Sequence, residues 1–341
     1  MKVALLALGL AVALGASQAS AAPAACDAAR VYSDARSGVS VLVLSDGKVV
    51  CESYGAEGGP DRGHEIWSGT KSFNGLILAA AVQDGLLTLD EPVSVTLPEW
   101  RSDPAKAAVT LRQLLSLTSG LRSTVGRAPD YSEAIAAPLA AAPGTRFQYG
   151  ATPFQVFGEV MQRKLAAAGR EPDVLAYLKS RILDPIDVRW SDWRRTPSGD
   201  ALLPQGAVFI AREWAGFGEF VRAGGVVGGK PLVDQAAFAQ LFKGSAVNPA
   251  YGLSWWLPAA TNLPDVVTAR LDLGVHAGDL PADLVIAAGA GDQRLYVSAS
   301  CGVTIVRQAT FDPATAMRSR GQADAWSDYA FIKPLLDAFC P

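Results

Sequence analysis

Histidine is scarce in this sequence, since His64 and His276 are the only two among 341 residues. A Ser-His-Asp hydrolase needs a histidine as the base of its nucleophile, and many such enzymes carry the serine in a Gly-x-Ser-x-Gly turn. The sequence contains no such turn, and neither histidine lies in a recognisable motif. This class of hydrolase is therefore excluded, and we interpret both histidines as surface or structural residues.

Blocks of basic residues are also missing. The 30 Lys and Arg are interspersed with 33 Asp and Glu, and the net charge is −3. This pattern lacks the electrostatic footprint of a nucleic-acid-binding protein. Residues 224–230 have the spacing Gly-x-x-x-x-Gly-Lys, but Pro231 stands where a phosphate-binding loop needs Ser or Thr. We expect a turn there, and we predict no cofactor and no metal site.

Long apolar runs are limited to the start of the chain. Lys2 precedes an apolar stretch over residues 3–16, and a small-residue cleavage motif, Ala-Ser-Ala, ends at Ala21. The stretch is shorter than the roughly 20 apolar residues that span a bilayer, although an anchoring helix is the alternative. We predict a signal peptide over residues 1–21, no stable membrane span, and a periplasmic or secreted protein over residues 22–341.

Cysteine is present in an even number, as Cys26, Cys51, Cys301 and Cys340. In an oxidising compartment, four cysteines indicate two disulfides, and their spacings match no zinc site. Three pairings are open, and proximity in sequence favours Cys26 with Cys51 and Cys301 with Cys340. The alternatives are four buried thiols, or a lipid on Cys26, which Pro23 disfavours because a lipoprotein signal has an aliphatic residue there.

Strand signals lie at both ends of the chain. Residues 38–45 and 48–54 flank an Asp-Gly turn and predict a hairpin. Further strand-like runs lie at residues 284–288, 294–299 and 303–308, and a terminal helix is predicted over 325–339. The middle of the chain alternates helical patterns with Pro and Gly, including residues 111–117, 154–168 and 212–223.

This order predicts an α/β fold of the α+β type, divided into two lobes. Residues of about 30–72 and 251–341 would form an α/β lobe, and residues of about 73–250 a mostly helical lobe. A ligand cleft is expected between them.

Ser68 and Lys71 are the strongest candidates for chemistry. From Ser72 onwards, apolar residues recur at helical spacing, so Ser68 lies at the entrance of a helix and Lys71 one turn further on. A serine hydroxyl becomes a nucleophile when a neighbouring base takes its proton, and a lysine can do so where burial lowers its pKa. Spacing alone is weak evidence, because Ser45 and Lys48 share it across the predicted hairpin turn.

Three segments in the correct order resemble a known family. Residues 67–73 (Trp-Ser-Gly-Thr-Lys-Ser-Phe), 114–121 (Leu-Leu-Ser-Leu-Thr-Ser-Gly-Leu) and 143–149 (Pro-Gly-Thr-Arg-Phe-Gln-Tyr) are similar to blocks of the class C β-lactamase and penicillin-binding esterase superfamily. The resemblance implies a mainly antiparallel five-stranded sheet flanked by helices, with the active site in the cleft. It also implies that Ser68 is acylated, that Lys71 is its base and that Tyr149 shuttles the proton to the leaving group.

The sequence departs from the family pattern at several positions. Leu117 replaces a histidine, and Gly150 and Ala151 replace polar residues that normally follow the tyrosine. The third motif, Lys or His followed by Thr-Gly, is absent. Residues 288–297 lie in its place and resemble the Gly-x-Gly-Gly-Gln segment of 6-aminohexanoate-dimer hydrolase and related esterases, with Asp292 in place of the second glycine of the pair.

The altered third motif shapes the expected substrate. Backbone N–H groups of Ser68 and Ala290 can still form an oxyanion hole, and Gly289, Gly291 and Gln293 are candidate substrate contacts. The cation that holds a β-lactam carboxylate is missing, so we predict an ester or small amide as the small-molecule substrate. A β-lactamase or D,D-peptidase is the first alternative, and a non-catalytic binding module that keeps the fold is the second.

Overall fold

The computed structural model describes residues 22–263, 271–312 and 325–340, so the predicted signal peptide lies outside the described residues. The strands within these ranges are β1 Gly38–Ser45, β2 Lys48–Tyr54, β3 His64–Glu65, β4 Asp192–Trp193, β5 Ala207–Phe209, β6 Val226–Val227, β7 Lys230–Pro231, β8 Val285–Gly289, β9 Gln293–Ser298 and β10 Val303–Ala309. The helices are α1 (residues 22–34), α2 Ser72–Gln83, α3 Pro104–Ala107, α4 Leu111–Leu115, α5 Tyr131–Ala136, α6 Thr152–Ala167, α7 Val174–Leu178, α8 Ala211–Arg222, α9 Gln235–Leu241 and α10 Asp328–Phe339. Shorter helical turns are Trp67–Lys71, Val93–Val95, Pro98–Ser102, Lys179–Leu183, Asp184–Ile186 and Leu273–Asp279.

A five-stranded antiparallel sheet with the order β2-β1-β10-β9-β8 forms the centre of the fold. The predicted five-stranded architecture is confirmed. In the hairpin between β1 and β2, Asp46 and Gly47 have φ angles of 47° and 75°, as a two-residue type I′ turn requires. The first strand pairs with the last, for example Leu42 with Val306.

Helices cover both faces of this sheet, which explains why every residue of β9 is buried. On one face, α8 packs against β9 and β10. Gly218 permits this approach, since a Cβ there would stand 2.7 Å from Leu295 Cδ1. On the other face, Tyr296 contacts Phe331 of α10, with ring centroids 6.1 Å apart. Because successive side chains of a strand point to opposite faces, Leu295 faces α8 while Tyr296 faces α10.

Helix α2 lies inside the molecule rather than at its surface. Its first ten residues, from Ser72 to Ala81, are all buried, as expected for a helix that is apolar around most of its circumference. It therefore provides a fixed support for the turn Trp67–Lys71 that leads into it.

Two disulfides join Cys26 to Cys51 and Cys301 to Cys340. This is the pairing that sequence proximity favours. The first attaches α1 to β2, and the second attaches the β9–β10 turn to the end of α10. No helix in the described ranges has the length and apolar character needed to cross a membrane.

Several boundaries differ from those expected. The C-terminal helix begins at Asp328 rather than at residue 325, because the side chain of Ser327 caps it by accepting a hydrogen bond from the Ala330 N–H. Helix α1 was not expected, whereas α7 and α9 fall in the region expected to be mostly helical without having been predicted individually. Helix α8 packs on the sheet although it falls within residues 73–250, so the division into two lobes stays a prediction.

Candidate active site

The turn Trp67–Lys71 brings Ser68 and Lys71 together, as their spacing predicts. Lys71 Nζ lies 3.0 Å from Ser68 Oγ. Two contacts to β5 fix the turn: the Ala207 N–H donates to Thr70 Oγ1 over 3.1 Å, and the Ile66 N–H donates to Ala207 O over 3.1 Å. Ser68 keeps partial exposure while Lys71 is only 4% exposed, so a substrate can reach the hydroxyl but bulk water is kept from the amine.

Backbone strain lies next to the candidate nucleophile. Trp67 has a φ of 48°, in the left-handed region that bulky residues rarely adopt. Its ring packs edge-on against Phe311, with centroids 5.4 Å apart, and the Arg194 guanidinium stands 5.1 Å from its centroid. These contacts help to hold Trp67 in this conformation.

Burial lowers the pKa of Lys71 from 10.5 to about 7. The ammonium is penalised because it has left water without gaining a carboxylate partner. Its described contacts are uncharged: Nζ donates to Pro204 O over 3.0 Å and lies 4.8 Å and 5.6 Å from the ring centroids of Tyr149 and Phe154. A lysine with this pKa is largely a free amine at slightly alkaline pH and can accept the proton of Ser68.

Sequence reasoning missed the residues that hold the Lys71 backbone and the Pro204 carbonyl in place. The Asn74 side-chain amide, fully buried, donates to Lys71 O and to Leu203 O, each over 3.0 Å. Gln155 Oε1 accepts from the Leu203 N–H over 3.2 Å, which fixes the segment that presents Pro204 O. Asn74 lies three residues after Lys71 in the sequence. No local pattern, however, indicates that Pro204 would contact Lys71.

Tyr149 lies beside Lys71 in an aromatic wall formed with Tyr251 and Trp256. Its phenol oxygen is buried and makes no hydrogen bond of ordinary geometry to a described residue. Burial raises the pKa of Tyr149 to about 12, while the Ser68 hydroxyl, the Arg294 charge and the Trp256 indole act in the opposite direction. Tyr149 is therefore a neutral proton donor at physiological pH, and Lys71 is the group suited to be the base.

The outer edge of β8 faces the nucleophile turn. A Cβ on Gly289 would stand 2.1 Å from Ile66 O and 3.1 Å from Gly69 N, so only glycine allows this contact. Ile286 exchanges both backbone hydrogen bonds with Trp256 on the same edge, and in a strand the N–H groups on one edge recur every second residue. Continuing this alternation places the N–H of Ala290 on the edge that faces Ser68.

The remaining residues of the altered third motif have structural roles. Gln293 was expected to contact substrate, but its side chain is fully buried. Its Nε2 donates to Ala309 O over 2.7 Å, and its Oε1 accepts from the Ala309 N–H over 2.9 Å. Gly291 has a φ of 73° and abuts Phe311. Gln293 is thus bonded to β10 and Gly291 shapes the β8–β9 turn, and a substrate contact for either residue stays a prediction.

The departures near Tyr149 have local explanations. Leu117 has a φ of 59°, and its carbonyl accepts a hydrogen bond from the Gln148 N–H over 2.9 Å. A Cβ on Gly150 would stand 2.1 Å from Ser123 Oγ, so Ser123 occupies the space that a larger residue would need. Ala151 is 3% exposed. These positions set the course of the backbone, and residues 150 and 151 carry no polar side chain.

A large cavity lies away from this constellation. It has a volume of about 640 Å³ and is bounded by the end of α8, by α9 and by Val285 at the start of β8. None of Ser68, Lys71 and Tyr149 lines it. Cavity size therefore does not locate the candidate active site, and the assignment depends on the clustered nucleophile, base and proton donor.

Comparisons with known proteins identify a matching family. The sequence model of the Beta-lactamase family matches residues 24–290. Protein flp of Staphylococcus aureus strain MW2 is 26% identical over 180 residues, which cover 47% of this chain and 35% of that protein. The match thus spans about a third of the length of this curated relative.

Two solved structures share the fold. A candidate β-lactamase from Bacteroides dorei DSM 17855 superposes with a TM-score of 0.70 at 19% identity, covering 89% of this chain and 94% of that chain. A candidate 6-aminohexanoate-dimer hydrolase from Bacillus anthracis superposes with a TM-score of 0.65 at 15% identity, covering 89% and 79%. The fold and the family resemblance predicted from the three sequence blocks are confirmed.

Proposed function

Because the chain belongs to the Beta-lactamase family, we propose that it is an exported serine hydrolase that cleaves an ester or a small amide through an acyl-enzyme on Ser68. The observation that carries the proposal is the 3.0 Å contact between Ser68 Oγ and Lys71 Nζ, in a site that lowers the pKa of Lys71 to about 7. The two disulfides support export, since such bonds persist in oxidising compartments.

The proposed reaction begins when Ser68 Oγ attacks the substrate carbonyl and Lys71 accepts its proton. In this reaction the backbone N–H groups of Ser68, in the turn that leads into α2, and of Ala290, on the outer edge of β8, stabilise the oxyanion. Tyr149 passes its phenolic proton to the leaving alcohol or amine and regains one from Lys71. Water then attacks the acyl-enzyme, gives a proton back to the serine and releases the carboxylic acid.

We infer the substrate class from the charges on and near strand β8. Ala287 and Ala288 on β8 offer no cation. The nearby Arg294 and Arg307 are 1% and 0% exposed and are bonded to protein groups. A substrate carboxylate next to the scissile bond thus has no partner on this strand, which favours esters and amides without such a carboxylate over β-lactams. The resemblance to a candidate 6-aminohexanoate-dimer hydrolase supports an amide as one substrate.

Ser68→Ala is the direct test. It should abolish hydrolysis of a p-nitrophenyl ester and the mass increase produced by a fluorophosphonate, because the acylated oxygen is gone. Ser45→Ala is the matched control: Ser45 has the same spacing to a lysine but ends β1 at the hairpin turn. It should retain labelling. Activity that survives in Ser68→Ala would overturn the assignment, and the absence of labelling in the wild type would favour a binding module.

A substrate panel tests the proposed specificity. Short esters, nitrocefin, a D-Ala-D-Ala peptide and aminohexanoate dimer should be compared by kcat/KM. We expect turnover of the ester, and of the dimer because its carboxylate lies five methylene groups from the scissile amide. We expect little turnover of nitrocefin or the peptide, whose carboxylates lie one carbon from the scissile nitrogen. Rapid nitrocefin hydrolysis would establish β-lactamase activity and refute the charge argument.

A further inference from the structure

Arg294 is a buried cation directly behind the candidate oxyanion hole. It lies on β9 opposite Ala288 and is 1% exposed. Its Nε donates to Asp328 Oδ1 of α10 over 2.6 Å, and its NH1 donates to Gly289 O over 3.1 Å and to Gln293 O over 3.1 Å. One guanidinium thus connects the ion pair on the helix side to the turn that carries Ala290.

The carbonyl that Arg294 contacts belongs to the same peptide unit as the Ala290 N–H. In a trans peptide, C=O and N–H point in opposite directions, and the described chain has no cis peptide bond. The Gly289 carbonyl points inward to Arg294, so the Ala290 N–H points outward to the free edge of β8. A cation hydrogen-bonded to the carbonyl withdraws electron density through the amide and makes its N–H a stronger donor.

We propose that Arg294 is a positioning residue that strengthens the oxyanion hole by polarising the peptide between Gly289 and Ala290. This inference rests on the proposed function. The family's third motif has a Lys or His that can contact the substrate. In this chain the positive charge belongs to the buried Arg294 on β9, which acts through the backbone and does not touch the substrate. Stabilisation then increases as negative charge develops on the substrate oxygen, which affects the transition state more than the ground state.

Two further observations show that the charge is held in place and reaches the site. Arg307, fully buried, donates from NH1 to Gly291 O and Asp292 O, each over 2.9 Å, so two arginines bind the carbonyls of one short turn. The positive charge of Arg294 is also one of the influences that lower the pKa of Tyr149 against the effect of burial. The field of Arg294 therefore extends to Tyr149.

A purely structural role for Arg294 makes a different prediction, and Asp328 separates the two. Arg294→Gln removes the charge and leaves the Asp328 carboxylate near the turn. Asp328→Asn breaks the same ion pair but leaves the guanidinium at Gly289 O. Both variants lose the pair and should melt at lower temperature than the wild type. Only the first loses the cation behind the oxyanion hole.

The experiment measures the acylation rate constant and KM for a p-nitrophenyl ester in Arg294→Gln, Asp328→Asn and the double variant, at a temperature where each is folded. We expect acylation in Arg294→Gln to fall about tenfold with KM unchanged, less than the roughly 10²- to 10³-fold loss that follows removal of a whole oxyanion donor. Asp328→Asn should keep or exceed the wild-type rate, and the double variant should lie between the two. The carbonyl stretching frequency of the acyl-enzyme should rise in Arg294→Gln and not in Asp328→Asn.

Equal losses in Arg294→Gln and Asp328→Asn would show that the ion pair is only a structural contact and would overturn the inference. An unchanged rate in Arg294→Gln would do the same. The proposed function has a separate control, because Ser68→Ala must eliminate acylation in the same assay. If Ser68→Ala retains the activity, the proposed function fails. If only the expected ranking of acylation rates among the Arg294 and Asp328 variants fails, the nucleophile assignment stands.

Discussion

The ionisation of Lys71 makes a quantitative prediction for the pH dependence of acylation. Lysine is active as a base only when it is neutral, so the rate should rise with pH through the folded pKa and be lost below it. With a pKa of about 7, about a tenth of the molecules carry a neutral Lys71 at pH 6 and about nine-tenths at pH 8, which predicts roughly a tenfold rise. Tyr149, with its pKa raised to about 12, should add no alkaline decline in this range.

The assay is the second-order rate constant for inactivation by a fluorophosphonate, measured from pH 5.5 to pH 9 at constant ionic strength. This reagent reports attack by Ser68 without the later deacylation step. Tyr149→Phe is a useful control, because burial alone sets the Lys71 pKa: the rate should change while the midpoint stays near 7. A midpoint close to 10.5, or a flat profile, would refute the role of burial in activating Lys71.

Three other changes test the packing and the energetics of the site. Lys71→Met should abolish labelling. Below pH 7 it should also raise the free energy of unfolding by up to about 5 kcal/mol, since that is the cost of lowering the lysine pKa from 10.5 to about 7. This gain should shrink towards pH 10.5, where the lysine is neutral in both the folded and the unfolded state. Gly289→Ala should lower both activity and melting temperature, because its Cβ would stand 2.1 Å from Ile66 O, whereas Gly278→Ala, with open space around it, should do neither. Gln293→Leu should cost about 2 kcal/mol or more by breaking two buried hydrogen bonds to Ala309, while KM stays the same. Chemical denaturation and ester hydrolysis measure all three, and a raised KM in Gln293→Leu would restore that residue as a substrate contact.

The predictable part of this site is the part encoded locally. Ser68 and Lys71 lie within one helical turn, so their spacing is sufficient to bring them together. The hairpin at Asp46 and Gly47 is likewise determined by two adjacent residues with positive φ. Tyr149 could be placed only through the order of family blocks, because no local pattern joins it to Lys71.

The contacts that sequence reasoning missed join distant segments. Pro204 contributes only a backbone carbonyl to Lys71, and every residue has a carbonyl, so its identity carries no signal. Gln293 was a candidate substrate contact through the resemblance of its segment to Gly-x-Gly-Gly-Gln, but its hydrogen-bond partner Ala309 lies on another strand. Arg294 gave no signal either, since an arginine in a strand is ordinarily interpreted as solvent-exposed.

The pairing of β1 with β10 has a consequence for how the molecule is made. The strand Gly38–Ser45 has one neighbour available at once, β2, but its other neighbour begins only at Val303. Until that residue has been synthesised, one edge of β1 stays unpaired and its apolar side chains lack their final cover. Loop closure over this distance is slow, so the sheet, and with it the edge of β8 that faces Ser68, assembles late. The proposed nucleophile Ser68 is synthesised early, but the strand edge proposed to complete its oxyanion hole is synthesised only with the last strands.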